Sequence, residues 1–140
     1  MCNFLFLASS RPLPLLPARE EELEFYVTEL KDREKSVLEW FSEPNAYFIG
    51  SYSGCSCPFE CEYDWDDPDP DELEDIAKGR RDFSLLASYL RQAVQEGAKL
   101  QLYNAWDYWL PPVQVMDLKI DSLMQERFVF SDRQLYHVVR

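Results

Sequence analysis

Glycine and histidine are scarce in this 140-residue chain: four glycines, at positions 50, 54, 79 and 97, and one histidine, His137. Glycines so spaced form neither a P-loop nor G-x-G-x-x-G, so a standard nucleotide-phosphate cradle is unsupported. One imidazole leaves few acid–base schemes centred on histidine. H-E-x-x-H and G-x-S-x-G are missing as well. No apolar run is long enough to span a bilayer. The opening Met1–Ser10 has only a short apolar run with no basic flank, and prolines 12, 14 and 17 follow it. It reads as a first strand rather than a secretory leader. The expected compartment is therefore the cytoplasm, where thiols are reduced, metal-bound or redox-active rather than locked in structural disulfides.

Positive charge is short too, with 14 Lys and Arg against 26 Asp and Glu, a net charge of −12. The imbalance is local. Residues 60–75 hold ten carboxylates and no Lys or Arg, and the remainder is close to neutral. Such a stretch repels phosphate, which argues against nucleic acid or an anionic membrane as partner and leaves a basic protein as the complementary one.

What is present suffices for a core: 46% of residues are hydrophobic and 15% aromatic. The length fits one domain, residues 1–140. Residues 2–8 read as a buried strand, Arg11–Pro17 as an extended proline-rich segment, and 23–29 as a second strand on the alternation of Leu23, Phe25 and Val27. Asp32 is the expected cap of a helix over 33–43, with Val37, Leu38 and Phe41 inward and Pro44 as its stop. Ala46–Tyr52 reads as a strand that runs into Gly54-Cys55-Ser56-Cys57-Pro58-Phe59-Glu60-Cys61. A loop over 62–72 and a short helical turn capped by Asp71 follow. Asp82 is then expected to cap a separate helix, whose face is Leu86, Tyr89, Leu90, Ala93 and Val94 and whose stop is Gly97. Further strands are expected near 100–102 and 113–120, with a closing hairpin from 128–130 to 135–139. The pattern implies an α+β fold, a mixed or antiparallel sheet with two main helices packed on it.

Cys55, Cys57 and Cys61 make C-x-C-x3-C at a strand end. Thiolates are soft ligands, and tetrahedral zinc takes four N or S donors, so Cys2 or His137 is the candidate fourth. If strands 2–8 and 46–52 pair antiparallel, the start of the first lies beside the end of the second, and Cys2 approaches Cys55 or Cys57. The alternatives are free thiols in a loop or a redox pair. Removal of Met1 would leave Cys2 with its own amine as a base.

Asp67, Asp69 and Asp71 have the 1, 3, 5 spacing of a calcium loop, but Glu72 replaces the turn glycine and Lys78 the closing glutamate, so an EF-hand is excluded. Asp66, Asp67 and Asp69 are candidate contacts for a basic partner. Trp106, Tyr108 and Trp109, in a proline-ended loop, are either an interface anchor or a cap on the core.

Met1-Cys2-Asn3-Phe4-Leu5-Phe6-Leu7-Ala8-Ser9, Pro12-Leu13-Pro14-Leu15, Tyr47-Phe48-Ile49-Gly50-Ser51 and Gly54-Cys55-Ser56-Cys57 together resemble an uncharacterised family of small bacterial proteins. Its pattern is Met-Cys, an aromatic-rich first strand, Ala-Ser, Pro-Leu-Pro and Gly-Cys-x-Cys-Gly-Phe. The likeness covers about the first sixty residues. Pro58 departs from it, and Cys61 lies outside it, which sets Cys61 apart from the Cys55-x-Cys57 pair. The resemblance implies a bacterial cytoplasmic origin and no activity. The expected function is a non-enzymatic, protein-binding or accessory module. The alternative is a thiol or metal protein that uses Cys55 and Cys57 with Cys2 or Cys61, zinc being the candidate ion.

Overall fold

The computed structural model describes residues 2–63 and 65–139. Met1, on whose removal the free amine of Cys2 depends, lies outside the described residues, as do Asp64 of the acidic stretch and Arg140.

Six strands form one mixed sheet: β1 (Phe4–Ser9), β2 (Tyr26–Glu29), β3 (Asn45–Gly50), β4 (Leu100–Ala105), β5 (Gln114–Lys119) and β6 (Gln134–Val139), in the order β2-β3-β1-β4-β6-β5. All neighbours are antiparallel except β5 and β6. β1 occupies the middle, which is why Phe4-Leu5-Phe6-Leu7-Ala8 is apolar on both faces. Leu5 and Leu7 join one core cluster with Ile49, Leu102, Phe83, Leu86 and Leu90, under the single long helix α1 (Pro70–Gln95). Phe6 belongs to a second cluster with Val37, Tyr103, Tyr108 and Leu135. That face is covered by a 3-10 helix, Asp32–Trp40, and by the loop carrying Tyr108.

Two expected helices thus become one α-helix and one 3-10 helix. The 3-10 helix stops at Trp40, short of Pro44, and its cap is Lys31. Glu34 Oε1 accepts the Lys31 N–H at 2.8 Å, so the first turn is closed by a carboxylate three residues on rather than by Asp32. The tighter winding leaves Leu38 42% exposed while Val37 is buried.

α1 corrects the expectation of two segments. Asp69 is its N-cap and Pro70 its first residue, and Glu72 Oε1 accepts the Asp69 N–H at 3.2 Å. The end of the acidic stretch is therefore the start of α1, where carboxylates face the positive end of the helix dipole. Asp82 is no cap. It lies fully buried inside α1, its Oδ1 accepting Phe25 N at 2.9 Å and its Oδ2 accepting Tyr52 N at 2.8 Å. A mid-helix carboxylate thus closes backbone donors from β2's approach and β3's exit. Gly97, at φ 94°, ends the helix as expected.

The closing hairpin does not form. Residues 128–130 are not a strand. Phe130 is buried beside Phe59, its N–H donating to Phe59 O at 2.8 Å. β6 instead inserts between β4 and β5.

Among the described residues no helix is long and apolar enough to cross a membrane.

Candidate metal centre

The last residue of β3, Gly50, lies under the ring of its cross-strand partner Tyr26. A Cβ there would sit 2.0 Å from the ring. The chain then turns tightly. Ser51 Oγ donates to Cys55 O at 2.6 Å, and Gly54 takes φ 82°, a conformation that favours glycine. A short 3-10 turn, Cys57–Phe59, follows, with Phe59 driven into the core at 0% exposure.

Ser56, between the two cysteines, is the pin. It is fully buried, accepts Leu5 N at 2.9 Å on its Oγ and donates to Ile49 O at 2.6 Å. It thereby bridges β1 and β3 at the last pair of their register, and Cys55 and Cys57 are held on either side.

The antiparallel register Leu5↔Ile49 carries the start of β1 to this turn. Asn3 N–H donates to Cys57 Sγ at 3.3 Å, and Asn3 Nδ2 donates to Ser56 O at 3.2 Å. Cys2, one residue earlier, brings its sulfur to the pair. The Sγ atoms of Cys2, Cys55 and Cys57 all lie within 4.8 Å of one another. Three ligands of one ion at about 2.3 Å stand roughly 3.8 Å apart around a tetrahedral metal and roughly 4.0 Å apart around a trigonal one. Small side-chain adjustments satisfy either. Cys2 is exposed and the other two half-buried, so the group opens to solvent.

The thiols are unequal. Burial alone pushes Cys55 up, but hydrogen bonds from the Ser53 hydroxyl, from the side chain and N–H of Cys57 and from Cys2 more than offset it, leaving the thiol below its ordinary value. Burial, then the hydrogen bond with Cys55, pushes Cys57 up to about 12, against the opposing Asn3 N–H. The two titrate as a pair in which Cys55 gives up its proton more readily than Cys57.

A polar chain backs the site. Asn3 Nδ2 donates to Asn104 Oδ1 at 2.6 Å, Asn104 Nδ2 to Glu60 Oε2 at 3.0 Å, and Trp106 Nε1 to Glu60 Oε1 at 2.8 Å. Asn3 is fully buried and its Oδ1 has no partner among the described residues.

The other expected site residues fall elsewhere. Cys61 is exposed, its thiol directed to Glu62 O at 3.8 Å. His137 pairs with Gln101, which pairs with Ala8, six residues along β1 from Cys2. At about 3.3 Å per residue that is roughly 20 Å away. Of the acidic candidates, Asp66 pairs with Arg127 at 2.8 Å, Asp69 caps α1 and Asp67 is exposed. The aromatic trio divides. Tyr108 packs edge-on against Phe4 and Phe6, Trp106 is half-buried on Glu60, and Trp109 is 58% exposed. Asn3, Ser53 and Ser56 were not expected at the site. The run Ser51-Tyr52-Ser53-Gly54-Cys55-Ser56 is the signal that points to them, since short hydroxyl side chains beside a turn glycine hydrogen-bond nearby backbone and sulfur.

No family model, curated protein or solved structure matches the chain.

Proposed function

We propose that Cys2, Cys55 and Cys57 form a thiolate site for a thiophilic metal ion, and that holding this ion is what the protein does. The carrying observation is the convergence of three sulfurs from two distant parts of the chain within 4.8 Å. A buried serine fixes the Cys55-x-Cys57 pair at the end of the β1–β3 pair, and the residues leading into the central strand deliver the third sulfur. Zinc and Cu(I) both suit sulfur donors. The test is elemental analysis of protein purified under reducing conditions, followed by anaerobic titration of the metal-free chain. One ion per chain, lost in Cys55→Ala and Cys57→Ala and kept in Cys61→Ala, supports the site. Absence of stoichiometric binding of any thiophilic ion refutes it.

Trp109 favours a second proposal, a protein-binding surface. Its ring is 58% exposed on a loop anchored by the buried Tyr108, so the anchor is rigid and the projecting side chain free to be covered. The acidic stretch leads into α1 over the other face of the sheet and is a separate candidate contact for a basic partner. Capture from the native organism should weaken in Trp109→Ala and in a variant with Asp66 and Asp67 replaced by asparagine. Equal capture by both variants overturns it.

A further inference from the structure

We infer that the site takes a monovalent soft cation of the Cu(I) type in a three-coordinate, all-sulfur sphere, rather than zinc in a four-donor one. This rests on the thiophilic-metal proposal above and narrows it. The argument turns on the fourth donor. Thiolates suit both zinc and Cu(I), but structural zinc is held almost always by four protein ligands, so the number of donors discriminates. Among the described residues, the group within reach contains Cys2, Cys55 and Cys57 and no further Cys, His, Asp or Glu.

Among the described residues, the nearest other donors are held elsewhere by the fold. Cys61 stands one turn beyond Cys57, its N–H donating to Cys57 O at 3.0 Å. Swinging it inward would disturb the turn that buries Phe59 in the core, where the ring meets Phe83 at 5.1 Å and the carbonyl holds Phe130 N. Glu60, the nearest carboxylate along the chain, has both oxygens engaged, one by Asn104 and one by Trp106. His137 is strands away on the far part of the sheet. Ser56 Oγ is committed to Leu5 and Ile49. A trigonal sulfur sphere is thus complete with what the site has. Zinc would need a water or a foreign ligand on the open side.

The same exposure that leaves room for a foreign ligand suits exchange. Cys2 is at the surface, two residues before β1 begins, so a bound ion is reachable by an incoming thiol. On loading, each thiol still protonated gives its proton to solvent, and no change of metal oxidation state is involved.

The experiment uses the full reduced chain, without oxygen. Cu(I) is presented with a competing Cu(I) chelator, and Zn(II) with a zinc indicator. X-ray absorption of the loaded protein reads the number of sulfur neighbours. The expected result is one Cu(I) per chain held against the chelator, three sulfur neighbours, no displacement by equimolar Zn(II), and the same values in Cys61→Ala. Cys2→Ala should weaken Cu(I) retention by about tenfold or more and leave two sulfurs. Preferential zinc binding, or a sphere containing a fourth protein donor, overturns the inference while the thiophilic site stands. Failure of both ions to bind brings down both.

Discussion

The backbone N–H of Asn3 donates to the sulfur of Cys57 across 3.3 Å, joining residues 54 apart in sequence. This contact attaches a turn cysteine to the start of the central strand. It also brings Cys2 to the pair, because Asn3, held by Cys57, Ser56 and Asn104, is its immediate neighbour. The third sulfur is therefore supplied by sheet register rather than by a local motif.

Ser56→Ala should be the most damaging small change near the site. It strips the partner from both Leu5 N and Ile49 O in a fully buried position. Leaving a buried donor and acceptor unpaired costs about 1–3 kcal/mol each. Urea unfolding should show a loss of about 2 kcal/mol or more, and metal retention should fall with it. A loss within about 0.5 kcal/mol, the range typical of neutral surface changes, would mean that the serine does not hold the turn.

Ser53→Ala should leave stability almost unchanged and move thiol chemistry. The Ser53 hydroxyl lies 3.3 Å from Cys55 Sγ and is the first of the groups that lower that thiol. Without it the thiolate is less favoured, so the pH profile of Cys55 alkylation, read by mass spectrometry, should shift to higher pH. In wild type, Cys55 should alkylate ahead of Cys57, whose thiol is pushed up to about 12. Since loading displaces the protons that remain, metal affinity should rise with pH by about tenfold per unit for each such proton.

Asp82→Asn tests the buried carboxylate of α1. One oxygen becomes an amide that faces a backbone N–H, either Phe25 or Tyr52. The expected cost at neutral pH is about 1–3 kcal/mol. Burial, only partly opposed by those two N–H groups and Arg81, raises the Asp82 carboxyl above its ordinary value. A folded value above the unfolded one means that the native state binds the proton more readily, so this group's contribution grows as pH falls through the folded value towards about 4. The gap between wild type and Asp82→Asn should therefore widen on acidification. A gap that closes would show the carboxyl lowered instead.

Some of this was legible in the residues and some was not. Phe4-Leu5-Phe6-Leu7 is apolar without alternation, the mark of a strand covered on both faces, whereas its antiparallel pairing with β3 was only supposed, because β2 comes between the two in the chain. Given that pairing, Cys2 is expected near Cys55 or Cys57, and the structure places it beside both. Long-range acceptors were illegible. An aspartate before an apolar helical stripe looks like a cap, and nothing local tells that Asp82 serves Phe25 and Tyr52 instead. The order of β4, β6 and β5 was hidden for another reason. Phe128 and Phe130 have strand-like composition, but their rings are spent on Phe83. The 3-10 winding of Asp32–Trp40 has no composition signal distinct from that of an α-helix.

The most direct test of the three-sulfur site is differential alkylation of the metal-loaded chain, read cysteine by cysteine by mass spectrometry. The reduced protein is loaded, pulsed with an alkylating agent, and compared with the metal-free chain. Protection of Cys2, Cys55 and Cys57 together, with Cys61 labelled equally in both states, is the predicted result. Protection of Cys61 alongside the pair, or Cys2 left as reactive as in the metal-free chain, would contradict it.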